Sequence, residues 1–231
     1  MGTVKESRWC FAWPAARQSV GGRDRAALVK ASQWTSGSTI SVSFLDGDPG
    51  VQDKVKKAAI GWTALGLANL SFDFRKDTSD TLVRISFLNA GSWSLIGTTC
   101  KQITDHTRPT MNFGWLTPES DDQEIQRVVL HEFGHALGLI HEHQNPAGGI
   151  QWDRAQVIKD LSGPPNHWDA DTIQHNMFDT WGANETNYTK TDGASIMMYP
   201  IPANWTTNGF TIGLNTQLSP TDRQFIHQQY P

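Results

Sequence analysis

His131-Glu132-Phe133-Gly134-His135-Ala136-Leu137-Gly138-Leu139-Ile140-His141 spells HExxHxxGxxH. The residues before it, Glu124 to Leu130, carry apolar positions at 125, 128 and 129, continued by 133, 136 and 137, which is helical spacing. On a helix, positions i and i+4 share one face, so His131 and His135 can aim both imidazoles at one ion. Glu132 follows the first histidine, so its carboxylate reaches water beside the metal rather than the metal itself. His141 lies about 240° further round if the helix continues, and cannot share that face. Gly138 resolves this: a residue that takes positive φ without penalty ends the helix and turns the chain back. Three imidazoles around one Zn²⁺ leave a coordination position open, which is the catalytic arrangement rather than the structural one.

Five fixed residues at this spacing would coincide in a chain of this length with a probability on the order of 10⁻⁵. A second stretch, Ser195-Ile196-Met197-Met198-Tyr199-Pro200, lies downstream. With both on the page, the chain resembles the astacin-type metzincin zinc peptidases. In that family the histidine motif is followed directly by Glu, as by Glu142 here, and the methionine turn reads Ser-x-Met-x-Tyr, as Ser195, Met197 and Tyr199 do. Gly91-Ser92-Trp93-Ser94-Leu95-Ile96-Gly97 and Leu218-Ser219-Pro220-Thr221-Asp222, leading to Tyr230-Pro231, are also similar. The resemblance spans about residues 38 to 231. The chain departs from the family in having only Cys10 and Cys100 where two disulfides are usual, Ser92 where a cysteine is expected, and Met198 in place of His.

The resemblance implies an α+β, zincin-like fold. It has a mixed twisted sheet and two main helices in an upper subdomain, an irregular lower subdomain, and the active-site cleft between them. Residues 1–30 read as an N-terminal extension with a possible regulatory role, and 31–231 as the catalytic domain, divided at about 38–141 and 142–231. The implied activity is zinc-dependent endopeptidase action on proteins or peptides with one catalytic Zn²⁺ held by His131, His135 and His141. Met197 supports the ligands from below, and Tyr199 can ligate the metal or swing to the oxyanion. Glu132 is the general base. Glu142 either contacts the buried N-terminus of a processed chain, as the resemblance implies, or is a supporting residue flanking the helix.

Composition is consistent with this. The 231 residues, 38% hydrophobic and 18% charged, suit one globular domain or two subdomains around a cleft. A net charge of −4 and a pI near 6.0 argue against nucleic acid or an anionic membrane as partner, and we expect a monomer. No apolar run has the length of a membrane span. The resemblance implies a secreted protein, but Met1 to Arg8 lack the apolar core of a signal peptide, so an intracellular location stays open. Most of the ten tryptophans are expected in the core.

Along the chain, Ser38 to Leu45 alternates as a strand, and Asp48 before Pro49 suits the start of a helix over about 51–66. Strands follow at 70–74, 82–87, 93–97 and 110–115, and short helices at 152–161, 169–178 and 220–229, the last capped by Ser219. The strand carrying Asn112, Phe113, Gly114 and Trp115 is expected to form the upper rim of the cleft and to bind an extended substrate by main-chain hydrogen bonds. His143, two residues after the third ligand, has two readings: a residue supporting the ligand, or a surface residue, which is the favoured one. Cys10 has three readings: a thiolate ligand that holds the enzyme latent, a disulfide with Cys100, or a thiol with no role. Two other functions compete with the peptidase. One is a non-catalytic, zinc-stabilised peptide-binding module, which would need neither Glu132 nor Tyr199. The other is a zinc hydrolase of small amides, which would need no edge strand.

Overall fold

The computed structural model describes residues 10–13, 30–164, 166–182, 187 and 190–231. Strand β1 (Cys10–Trp13) precedes β2 (Thr39–Phe44), after which Asp48 Oδ1 accepts hydrogen bonds from the Gly50 and Val51 amides and starts helix α1 (Pro49–Ala59). The helix is shorter than its apolar spacing suggests. At Ile60–Trp62 the backbone tightens into a 3₁₀ turn, which swings Trp62 inward so that its indole N–H donates to Leu130 O. Strands β3 (Ser71–Arg75), β4 (Val83–Ser86), β5 (Ser92–Leu95) and β6 (Met111–Phe113) follow, then α2 (Asp122–Ala136).

The six strands form one sheet in the order β1-β5-β6-β4-β2-β3. All neighbours are parallel except β5 and β6, which run antiparallel. The β2–α1–β3 crossover is the connection that adjacent parallel strands require. β2 alternates Ile40, Val42 and Phe44 with Ser41 and Ser43, but its serines do not face solvent. Ser43 Oγ pairs with Thr81 Oγ1 at 2.6 Å, and Ser41 Oγ accepts from the Leu82 amide at 3.1 Å. Buried hydroxyls with partners let a polar-alternating strand sit inside the sheet.

Asp46 closes the end of β2. Its two carboxylate oxygens accept from Ser86 Oγ at 2.7 Å and from the Phe87 amide at 2.7 Å. α2 packs against α1 and β5 and contributes Ile125, Val128, Val129, Leu130 and Phe133 to the core. Phe133 meets the edge of Phe72 at 5.0 Å. Beyond α2, the chain forms α3 (Arg154–Ser162), α4 (Ala170–Ile173) running directly into one π-helical turn (Gln174–Phe178), and α5 (Pro220–Gln229). Ser219 and Asp222 cap α5 reciprocally. Trp34, Trp62, Trp168 and Trp205 are buried, while Trp93, Trp115, Trp152 and Trp181 are half-buried, so among the described residues fewer tryptophans lie in the core than expected. Among the described residues, no helix is long and apolar enough to cross a membrane.

The strand order corrects one expectation. β6 is an inner strand, paired on both sides by β5 and β4, so no peptide can add to it. Asn112 Nδ2 donates to Asn89 O and Gly91 O, Phe113 is fully buried, the Gly114 amide donates to Gly91 O, and Trp115 Nε1 donates to Glu124. Asn112 is thus paired on both sides, Phe113 and Gly114 are tied toward β5, and Trp115 is fastened to α2, so this stretch is not the open edge expected for substrate.

Candidate active site

α2 begins at Asp121, whose Oδ1 accepts from the Glu124 amide at 2.8 Å, and is continuous through His131 and His135. It ends as the glycine suggests: Gly138 has φ +101°, its amide donates to His135 O, and the Leu139 amide reaches back to Gly134 O. This pair of bonds is a Schellman closure. Two aromatic residues from distant parts of the chain secure the remaining carbonyls. Trp34 Nε1 donates to Ala136 O at 2.8 Å, and the Tyr230 hydroxyl donates to Leu137 O at 2.5 Å. The reversal carries His141 back beneath the helix.

The three imidazoles meet there. One nitrogen from each of His131, His135 and His141 lies within 4.8 Å of the other two. His135 Nε2 and His141 Nε2 are 3.2 Å apart. Tetrahedral bonds of 2.0–2.1 Å to zinc place two nitrogens about 3.3 Å apart, so the spacing fits that ion. The ring orientations fit as well. His131 Nδ1 donates to Ile196 O and His135 Nδ1 donates to Leu139 O, both at 2.8 Å, which leaves each Nε2 lone pair facing inward. His131 Nε2 is buried with no hydrogen-bond partner, as a ligand atom should be. Burial holds His131 and His141 well below the ordinary histidine range and pushes His135 down to about 4, so the set is neutral and ready to ligate at neutral pH.

Glu132 is fully buried beside this set. The turn holding Met197 lies under it. Gly134 is what admits Met197: a Cβ at Gly134 would run into Met197 Sδ and the Trp62 ring. Gly134→Ala is therefore expected to destabilise the zinc-free fold by about 1–3 kcal/mol, as overpacking does. Chemical denaturation measures this; a loss under about 0.5 kcal/mol would show that the methionine yields freely.

Tyr199 is 2% exposed, stacked 4.7 Å from the His143 ring and tilted by 45° against the His141 ring at 4.2 Å. His143 is the residue whose favoured surface reading the structure overturns. It is not at the surface but 3% exposed, with its ring between Tyr199, His141 and the edge-on Trp152. Its Nε2–H donates to Asn176 O at 2.7 Å, and Gln144 Nε2 donates to His175 O. Both acceptors belong to the π-helical turn, whose irregular bonding makes carbonyls available to the segment after the third ligand. No spacing rule marks position 143, because its partners come from a separate part of the chain.

Glu142 accepts from the Asp192 amide at 2.9 Å and from Asn145 Nδ2 at 3.1 Å; burial pushes its carboxyl up to about 7. With Asp192, Asp222, Met197 and Leu139 it lines a small cavity of about 30 Å³. Cys100 is a buried, free thiol that desolvation raises to about 11, which sets aside the disulfide alternative. Of Cys10 only the backbone is described; its reading as a zinc ligand lies outside the described side chains.

No family model and no curated protein matches the chain. Solved structures do. One structure of myroilysin is 42% identical, covers 88% of this chain and 98% of its own, and superposes with a TM-score of 0.84. A second myroilysin structure is 38% identical over 98% of this chain and 92% of its own, with a TM-score of 0.71. High choriolytic enzyme 1, a hatching enzyme zinc-protease from the medaka Oryzias latipes, is 18% identical over 87% of this chain and 94% of its own, with a TM-score of 0.56. That last likeness is one of fold.

Proposed function

The chain belongs, with myroilysin, to the astacin-like metzincin zinc peptidases, and from that premise we propose that it cleaves peptide bonds with Glu132 as general base and Tyr199 as oxyanion donor. It is a zinc metalloendopeptidase acting on protein or peptide. The observation that carries the finer reading is the buried group of His131, His135 and His141 with Glu132 and Tyr199 beside it. A zinc ion held by the three nitrogens supplies Lewis acidity, lowering the pKa of water and polarising the scissile carbonyl. The Glu132 carboxylate accepts the proton of the attacking water and passes it to the leaving amine nitrogen. The Tyr199 hydroxyl donates a hydrogen bond to the oxygen on which charge develops. Gly138 and Met197 keep the three histidines in register. We assign the action of the enzyme to extracellular protein.

Residues 31–231 are the catalytic domain in this reading, and residues 1–30 regulate it. β5 packs against the zinc helix and, without β1, would be the edge of the sheet on that side. A substrate strand added there would gain affinity from main-chain bonds, with little demand on sequence. β1 takes that edge, pairing Cys10 to Ser92 through Trp13 to Leu95 in the parallel sense. A tethered strand competes at an effective concentration in the millimolar range. Zinc-loaded residues 31–231 are therefore expected to cleave a fluorescently labelled unfolded protein roughly tenfold faster or more than the whole chain. Equal rates would remove the extension from regulation. Silence of both with one zinc bound would favour a peptide-binding module.

A further inference from the structure

Asp222 sits in the first turn of α5, far from the histidine motif, yet its buried carboxylate reaches the methionine turn. Its Oδ1 accepts the Ser195 hydroxyl proton at 2.6 Å, and its Oδ2 accepts from the Ile196 amide at 2.8 Å and the Ser219 amide at 2.9 Å. Ser195 Oγ in turn accepts from the Met197 amide at 3.0 Å. That amide belongs to the same peptide unit as Ile196 O, which accepts from His131 Nδ1 at 2.8 Å. The bonds run in one sense: imidazole to peptide, peptide to hydroxyl, hydroxyl to carboxylate. Ser195, Asp222 and His131 are at most 7% exposed, so little solvent screens the chain.

We propose that Asp222 and Ser195 are positioning residues for the zinc ligand His131, acting through the Ile196–Met197 peptide. Each donor in the series is polarised by the acceptor it meets, and such bonds strengthen one another. The carboxylate makes the serine oxygen a better acceptor. The serine oxygen draws on the Met197 N–H and makes Ile196 O more negative. That oxygen holds the Nδ1 proton and raises the donor strength of Nε2. A carboxylate hydrogen-bonded directly to a ligating histidine does the same in many zinc sites; here a hydroxyl and a peptide stand between. His135 has no such series. Its Nδ1 is tied locally to Leu139 O, four residues on.

The proposal rests on the zinc-site reading, and zinc affinity separates the two. Ser195→Ala breaks the series in the middle; Ser195→Thr keeps the hydroxyl; Ser219→Ala weakens the α5 cap and leaves the series whole. The zinc dissociation constant is measured by chelator competition, alongside thermal unfolding of each zinc-free chain. Ser195→Ala is expected to bind zinc roughly tenfold more weakly or worse, and Ser195→Thr to restore most of the affinity. Ser219→Ala is expected to lower the melting temperature without moving the zinc constant. If Ser195→Ala does not fold, Asp222→Asn carries the same expectation as Ser195→Ala. Unchanged zinc affinity in the folded variant, or an equal loss in Ser219→Ala, overturns the relay alone. A parent chain that binds no zinc overturns the site reading as well.

Discussion

Glu132→Gln is expected to keep its zinc and to lose turnover of an unfolded protein substrate by roughly 10²–10⁴-fold. Glutamine matches glutamate in shape, so the buried space beside His131 stays filled. The three nitrogens that meet within 4.8 Å are untouched. What disappears is a group that can take a proton from water and return it to the leaving amine. Two quantities are needed: bound zinc per chain, and kcat with a labelled substrate. Zinc near one per chain with kcat collapsed is the expected pair. A kcat within a few-fold of the parent would exclude Glu132 as the base and send the search to another carboxylate.

Tyr199→Phe is expected to lower kcat by about 10²–10³-fold, which corresponds to losing one oxyanion donor worth roughly 2.7–4 kcal/mol. Phenylalanine keeps the ring that stacks on His143 at 4.7 Å and meets His141 at a tilt at 4.2 Å, so packing around the third ligand survives. The hydroxyl alone is removed. A bond made only as charge develops on the oxygen contributes to the transition state and not to the bound substrate. KM should therefore change little while kcat falls. A rise in KM at constant kcat would instead assign Tyr199 to ground-state binding.

The histidine spacing and Gly138 allow the core of the site to be read from the chain alone. A turn that needs positive φ and a helix that needs i, i+4 partners are local demands, and Gly138 meets the first at φ +101°. The caps at Asp48 and Ser219 are legible for the same reason, since a side-chain oxygen and the amides it accepts lie within a few residues. What escapes is non-local. Residues 93–97 and 110–115 look alike as short strands, and nothing in either states which pairs on both sides. The order β1-β5-β6-β4 is decided by where the crossovers land, and it places Asn112 inside the sheet. His143 escapes because its carbonyl partner, Asn176, is 33 residues away on a π-helical turn. Asp222 is visible as part of Leu218-Ser219-Pro220-Thr221-Asp222, but its reach to Ser195 and Ile196 is a tertiary fact.

Tyr230 has a consequence for the timing of biosynthesis. Its hydroxyl donates to Leu137 O at the end of the zinc helix and accepts from the Trp34 amide, 196 residues earlier in the sequence, and its carbonyl accepts from the Asn69 amide. A ribosome-bound chain that has not yet extruded Tyr230 lacks the fastening between the metal-bearing helix and the early segments. The bonds that tie the end of the zinc helix to the segments around Trp34 and Asn69 therefore form only after Tyr230 has been added.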